Sequence, residues 1–200
     1  MHVLKKAAKY TGLLLMLVLL VYSIFFSRRY QPHLVWHINT VGYIQDSLDG
    51  VYIYNNGIRY DESHGKNFSS DSNYYFGKKW QCVEFVKRYY FMHYQFRFTD
   101  GMGHAKSFFD PAVKHGTINK QRGLIQFTNG GEEKPRPGDL LIFDGKFGHV
   151  AIVSAVFENE LEVVQQNILL TPRERIPLFK NGSRFTIGDS KKPLGWLRMR

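Results

Sequence analysis

Three short apolar segments follow one another closely in the second half of the chain, and they constrain its fold more than any other feature. They read DLLIF at 139–143, HVAIVSAV at 149–156 and LEVVQQ at 161–166. Short turns such as DGKFG separate them. Connections of this length join antiparallel strands, because parallel strands need a crossover of a dozen or more residues. The sequence therefore predicts an antiparallel sheet in this region.

A helical period precedes these strands. Five residues recur at the spacing of one helical face: Cys82, Phe85, Val86, Tyr89 and His93. They predict a helix that begins near Trp80, and a second helix is predicted over about 104–115. Because the helices precede the strands instead of alternating with them, the pattern predicts an α+β fold with N-terminal helices packed on an antiparallel sheet.

Turn residues mark the start of the domain. The segment GVYIYNNGIRY at 50–60 has β-prone residues on both sides of Asn56-Gly57, and this pattern predicts a hairpin turn at those two residues. Residues 61–77 are polar and rich in turn-forming residues. They are predicted to form a loop.

The N-terminal region predicts a single transmembrane helix. Seventeen residues from Tyr10 to Phe26 carry no charge, between Lys9 and Arg28. This length is at the short end of what spans a bilayer. A cleaved signal peptide is the alternative, but the run ends in SIFFSRR, with large aromatic residues where cleavage requires small ones. We therefore expect an uncleaved membrane anchor.

The predicted organisation is a membrane anchor at 1–27, a tether at 28–45 and a folded domain at 46–200. Three lysines precede the apolar run and two arginines follow it. This small excess favours a cytoplasmic N-terminus and an extracytoplasmic, membrane-anchored domain. The net charge of the chain is +10, which favours anionic surroundings. The aromatic residues do not alternate with basic ones, so no nucleic-acid partner is expected.

Cys82 is the single cysteine of the chain, and the sequence allows two interpretations of it. A small packing residue on an apolar helical face is one. The other is a nucleophile, which needs a stabilised thiolate, a nearby base and a group that orients the base. Cys82 falls in the first turn of the predicted helix, where free backbone N–H groups and the helix dipole favour negative charge. A lowered thiol pKa is therefore expected.

His149 is the candidate base among the eight histidines. It directly follows Gly148 and opens a strongly apolar strand, which would mount an imidazole rigidly at an accessible strand end. The alternative interpretation is a structural histidine at a strand end, with its hydrogen bonds satisfied within the protein and no catalytic role.

The group that orients His149 should come from the next strand, where Gln165, Gln166 and Asn167 are the candidates. Facing residues of an antiparallel pair lie on the same side of the sheet. An odd number of residues in the connection near 157–160 places Gln165 and Asn167 on the side of His149, and an even number places Gln166 there. Because the 161-163-165 face is the more apolar one, Gln165 is favoured.

Four segments together resemble the CHAP domain, a family of cysteine- and histidine-dependent amidohydrolases and peptidases with a papain-like core. Within that family, the glutathionylspermidine amidase group is the most similar, since it also shares FTDGM at 98–102 and LGW at 194–196. The four segments are KWQCVEFVKRYY at 79–90, RPGDLLIF at 136–143, GHVAIVSAV at 148–156 and QQN at 165–167.

The resemblance implies hydrolysis of an amide through a thioester on Cys82, with His149 as the base and Gln165 as its orienting partner. It implies no metal and no cofactor. The backbone N–H of Cys82 and the Gln81 region would bind the oxyanion. Residues at three further positions would contact the substrate: Lys87, Arg88 and Asn167.

Two positions depart from the family pattern. Gln165 stands where the family has Glu, so it can orient an imidazole but cannot stabilise imidazolium by charge. Lys87 stands where the family has Arg, and a lysine cannot form a bidentate clamp on a carboxylate. The expected substrate is a peptide-like amide, either a glutathionylspermidine-type conjugate or a peptidoglycan stem peptide. A non-catalytic binding module on the same fold is the rival interpretation.

Overall fold

The computed structural model describes residues 14–23, 40–99 and 103–200. The chain divides between Asn39 and Thr40 into two compact units. Residues 14–23 are helical and are called α1. In the second unit, the described residues contain the helix α2 (Cys82–Tyr94) and a four-residue 3-10 helix (Ala105–Phe108).

Most of the described second unit is antiparallel sheet. Its twelve strands are β1 (Ile44–Leu48), β2 (Val51–Tyr54), β3 (Lys66–Phe68), β4 (Tyr75–Lys78), β5 (Thr117–Asn119), β6 (Leu124–Thr128), β7 (Leu140–Phe143), β8 (His149–Val156), β9 (Glu160–Val164), β10 (Arg173–Asn181), β11 (Arg184–Ile187) and β12 (Pro193–Arg198). Strands β5 to β12 form one eight-stranded sheet in the order β11-β10-β9-β8-β7-β12-β6-β5, and β1-β2 and β3-β4 form two-stranded sheets.

The antiparallel pairing of β7, β8 and β9 agrees with the prediction from the three apolar segments. The predicted α+β class, with several helices packed on the sheet, is wrong. Where a helix was predicted over 104–115, the chain forms only the 3-10 helix Ala105–Phe108. Asp110 ends any further helix, because its side chain accepts a hydrogen bond from the N–H of Ala112 (2.9 Å) and Pro111 follows it directly.

The predicted transmembrane helix is not supported. Among the residues that the structure describes, no helix is long and apolar enough to cross a membrane. The remainder of the predicted span, on either side of 14–23, lies outside the described residues.

The predicted hairpin turn at Asn56-Gly57 is also wrong, since β1 and β2 turn at Asp49-Gly50 instead. Both turn residues have positive φ, 47° and 80°. These angles match the type I′ turn that suits the twist of a two-residue hairpin. The predicted loop over 61–77 contains β3 and the first residues of β4.

The eight-stranded sheet separates two apolar clusters. Leu140, Ile142, Val150 and Ile152 belong to the cluster that includes α2. The alternate residues of the same two strands belong to a second cluster, which includes Trp196. Because both sides of β7 and β8 are covered, these strands are apolar throughout instead of alternating. The start of β8, where His149 lies, is thereby held against α2.

Candidate active site

Helix α2 presents Cys82 at its first position. Gln81 is the N-cap residue, and its extended backbone (φ −81°, ψ 156°) precedes the first helical turn. Trp80 has a φ of 59°, a conformation that strains an aromatic residue. Its ring lies 4.1 Å from that of Tyr54, centroid to centroid, and this contact holds the strained residue in place. The backbone just before α2 is therefore held by a contact with β2, where Tyr54 lies.

The thiol of Cys82 is buried, with 7% of the residue exposed. Burial raises its pKa above that of a free cysteine. The backbone N–H groups of Val150, Val83 and Cys82 itself act in the opposite direction, because they hydrogen-bond to the sulfur, but burial is the larger influence. The expectation of a lowered thiol pKa is therefore wrong. The contact with Val150 also places the sulfur at the start of β8.

His149 is the first residue of β8 and is half-buried. Gly148 sets its position. It has a φ of 68°, and a Cβ there would lie 2.6 Å from the backbone nitrogen of Lys106. The backbone N–H of Lys106 donates to the carbonyl of Phe147 (3.0 Å). The 3-10 helix is thus packed directly against the glycine, which leaves no room for a side chain before the histidine.

The imidazole of His149 contacts Gln165. Its Nε2 lies 3.0 Å from Oε1 of Gln165. Because an amide oxygen only accepts hydrogen bonds, Nε2 carries the proton in this pair. Burial lowers the pKa of His149 to about 4, while the bond to Gln165 opposes that change and the positive charge of Lys191 adds to it. The imidazole is therefore neutral near pH 7.

A β-bulge decides which glutamine faces His149. Val156 opposes Leu161, so four residues separate the pair, and that register alone would place Gln166 on the side of His149. The register shifts between Val153 and Ala155, and beyond the shift Ile152 opposes Val164. The extra residue of the bulge returns Gln165 to the side of the imidazole.

Gln166 lies on the other side of the strand and ties α2 to the sheet. Its Nε2 donates to Oε2 of Glu84 (2.7 Å) and to the backbone carbonyl of Gln81 (3.0 Å). Its Oε1 accepts the backbone N–H of Tyr54 (2.8 Å). Glu84 is fully buried and also accepts from Asn67 (2.8 Å). The sequence analysis did not predict this network. The one signal for it was the pair Gln165-Gln166, since adjacent strand residues face opposite sides and the second glutamine also needs partners.

Lys87 and Arg88, which were predicted to contact substrate, are buried and have partners within the protein. Lys87 Nζ donates to the carbonyl of Tyr75 (2.7 Å) and lies 5.0 Å from the ring centre of Tyr74. Arg88 forms a salt bridge with Glu84 one turn earlier in α2. A role in substrate binding stays a prediction for both residues.

Gln81 and Asn167 meet beside Cys82. Asn167 Nδ2 donates to Oε1 of Gln81 and to the carbonyl of Tyr60, both at 2.7 Å. Gln81 Nε2 donates to the carbonyls of Tyr60 (3.1 Å) and Glu62 (2.8 Å). Both residues therefore anchor the loop near residue 60 against the start of α2. Their predicted contacts with an oxyanion or a substrate remain predictions.

The described residues contain no cluster of three or more His, Cys, Asp or Glu side chains that could hold a metal ion. What the structure assembles is a thiol at a helix N-terminus that contacts the backbone of Val150, and, on the preceding residue His149, a neutral imidazole whose Nε2 is held by an amide.

Comparison with known families agrees with this geometry. The model of the CHAP domain family matches residues 73–167, a segment that includes Cys82, His149 and Gln165. The segment 73–167 is therefore a CHAP domain.

Among curated proteins, the chain is similar to the bifunctional glutathionylspermidine synthetase/amidase of Escherichia coli. The two are 35% identical over 140 residues, which cover 62% of this chain and 22% of the relative. The protein of the same name from Shigella flexneri gives the same values. The trypanothione synthetase of Crithidia fasciculata is 27% identical over 157 residues, which cover 69% of this chain and 24% of that protein. The chain thus corresponds to less than a quarter of the length of these relatives.

Proposed function

We propose that this CHAP domain is a cysteine amidohydrolase that cleaves an amide bond through a thioester on Cys82. The observation that carries the proposal is the bond between His149 Nε2 and Gln165 Oε1 at 3.0 Å. It keeps the proton on Nε2 and leaves Nδ1 with a free electron pair for the thiol. Cys82, at the first position of α2, lies against the residue that follows His149.

The first half-reaction forms the thioester. As the sulfur of Cys82 attacks the amide carbonyl carbon, the thiol proton passes to Nδ1 of His149. The backbone N–H of Cys82, which contacts its own sulfur in the resting protein and has no carbonyl partner in the first turn of α2, binds the resulting oxyanion. Collapse of the tetrahedral intermediate breaks the C–N bond, and the leaving amine takes the proton from His149.

The second half-reaction releases the acid. A water molecule gives a proton to His149 and attacks the thioester carbonyl. The C–S bond then breaks, the proton returns to the sulfur, and the carboxylic acid product leaves. The resting pair is neutral on both sides, because burial raises the pKa of Cys82 and lowers that of His149. Charge therefore appears only during reaction, when the two opposite charges lie close together in a poorly solvated site.

The proposed substrate is a glutathionylspermidine-type amide. Two of the curated relatives carry that amidase in their names, at 35% identity. The surroundings of His149 are consistent with an acyl group that carries a carboxylate, since the charge of exposed Lys191 is close enough to lower the pKa of the imidazole. A glutathionyl group joined through its glycine carboxyl keeps one free carboxylate, on its glutamyl end.

Incubation with glutathionylspermidine and with purified peptidoglycan tests the proposal, with released amine and acid measured by mass spectrometry. Wild type is expected to hydrolyse the conjugate, and Cys82→Ala to lose that activity. Hydrolysis of peptidoglycan instead would retain the chemistry, replace the substrate and fit the predicted extracytoplasmic location. If neither is hydrolysed and both are bound equally by wild type and Cys82→Ala, the domain is a binding module.

A further inference from the structure

Glu174 lies directly behind the amide that holds the candidate base. Gln165 Nε2 donates to Oε2 of Glu174 and to the backbone carbonyl of Thr171, each at 3.1 Å. Glu174 is exposed on β10, where it pairs with Val163. Since Val163 and Gln165 are two residues apart, their side chains share one side of the sheet. The carboxylate therefore reaches the amide from the neighbouring strand.

This arrangement fixes which end of the Gln165 amide faces His149. The amide nitrogen has two N–H groups, and both are used, one by Thr171 and one by Glu174. The reverse orientation would place the amide oxygen against a carboxylate and a carbonyl, which only accept hydrogen bonds. Only Oε1 thus remains for the imidazole, and Gln165 is 2% exposed, so water cannot easily take over either contact.

The orientation of the amide in turn selects the tautomer of the imidazole. An acceptor at Nε2 stabilises the tautomer with the proton on that nitrogen and the free electron pair on Nδ1. A reversed amide would present N–H to the ring and favour the opposite tautomer, which cannot accept the thiol proton at Nδ1. Because a hydrogen bond to a carboxylate is stronger than one to a neutral acceptor, Glu174 contributes more to this choice than the Thr171 carbonyl.

We infer that Glu174 is a positioning residue for the proposed reaction, which acts on His149 through Gln165. The family pattern has a carboxylate at position 165, in contact with the histidine. In this chain Glu174 supplies a carboxylate that is separated from His149 by Gln165. The inference rests on the proposed function for its kinetic consequence, but its effect on the tautomer of His149 is independent of any substrate.

The test compares Glu174→Gln with the control Glu160→Gln, which removes a carboxylate of the same sheet that pairs with Arg175 and not with Gln165. A glutamine at 174 can accept from or donate to Gln165, so both amide orientations become possible. Nitrogen-15 chemical shifts of the His149 ring report the tautomer. Wild type and the control should show the proton on Nε2, and Glu174→Gln a mixture of both forms.

The kinetic expectation is a fall in kcat for Glu174→Gln in proportion to the fraction of His149 that loses the Nε2–H tautomer, about twofold for an equal mixture, with KM unchanged. Moving the carboxylate inward in the double variant Gln165→Glu/Glu174→Gln should restore most of kcat. All variants should keep a single cooperative urea transition, which shows that they fold. If Glu174→Gln keeps the wild-type tautomer and the kcat of the control, the inference is overturned. If wild type hydrolyses no amide, the proposed function fails, and the ring shifts still decide the role of Glu174.

Discussion

Acidification adds a proton to His149 more easily in the unfolded chain than in the folded one. The pKa of the imidazole is 6.5 when it is fully solvated and about 4 in the folded domain, chiefly because burial disfavours the charged ring. Between these two values the unfolded state binds a proton and the folded state does not. Stability therefore rises with pH across this window.

The size of the effect follows from the two pKa values. Each pH unit between 6.5 and about 4 corresponds to about 1.4 kcal/mol, so the whole window amounts to about 3.5 kcal/mol. This contribution to the free energy of unfolding is fully present above pH 6.5. It declines as the pH falls and is lost near pH 4. For a domain of ordinary stability, roughly 5–15 kcal/mol, this loss is readily measured.

Urea unfolding of wild type and of His149→Gln at a series of pH values measures this term. Gln cannot be protonated but can still donate to Gln165, so only the wild type should lose this contribution to stability on acidification. His93→Gln, at an exposed position late in α2, is the control and should follow wild type. Equal pH slopes in wild type and His149→Gln would refute the reasoning. So would an imidazole that titrates above pH 6.5 in NMR spectra, since it would show a resting ion pair with Cys82.

Three further predictions follow from the geometry of the site. The rate of Cys82 alkylation by iodoacetamide should keep rising with pH beyond the pKa of a free thiol, because burial raises the pKa of Cys82. A rate that reaches its plateau below pH 7 would contradict this. Gly148→Ala should lower the free energy of unfolding by at least about 2 kcal/mol, because the added methyl group contacts the backbone of Lys106 and the residue must also keep a positive φ. The control Gly182→Ala has a φ of 61° and no atom within 4 Å of the added Cβ. It should show only the cost of the positive φ, about 1–2 kcal/mol. Glu84→Ala should lower the free energy of unfolding by about 3–5 kcal/mol, because it leaves the buried Arg88 without its carboxylate partner. The control Glu158→Ala, at an exposed position, should lower it by less than about 0.5 kcal/mol. Similar urea midpoints for the two variants would be evidence against the buried network.

The elements that the sequence predicted well are those with a strong periodic pattern. Strands β7 and β8 are apolar on both sides, β9 has one apolar face, and α2 has an unbroken helical face, so local pattern and tertiary packing agree. The helix over 104–115 was predicted from a weaker pattern, and the turn at Asp110 prevents it. The hairpin turn fell at Asp49-Gly50 instead of Asn56-Gly57. Both pairs suit a type I′ turn, and sequence alone does not choose between them.

For the candidate site, the sequence predicted the contact between His149 and Gln165 but not the direction of the pKa shift of Cys82. Cys82, His149 and Gln165 were found from chain position and resemblance. The contact of Gln165 with His149 depends on a bulge at Val153–Ala155, which no local signal in the sequence marks. The pKa of Cys82 was expected to fall because of the helix terminus, but the extent of burial is a tertiary property.

The buried network around Glu84 was missed for the same reason. A glutamate among basic residues on a helix is usually solvent-exposed. Here β3 provides Asn67, and the segment after β9 provides Gln166, and together they cover it. Both contacts join residues far apart in the chain, so the helical pattern gave no indication of them.

Trapping of the acyl-enzyme tests the proposed chemistry most directly. Wild type is mixed with glutathionylspermidine, quenched in acid within the first turnovers and digested for mass spectrometry. The peptide that contains Cys82 should carry an added mass equal to glutathione less one water, with one spermidine released for each adduct. His149→Ala should form the adduct far more slowly, and Cys82→Ala not at all. Hydrolysis that proceeds without any adduct on Cys82, or at the same rate in Cys82→Ala, would contradict the thioester mechanism.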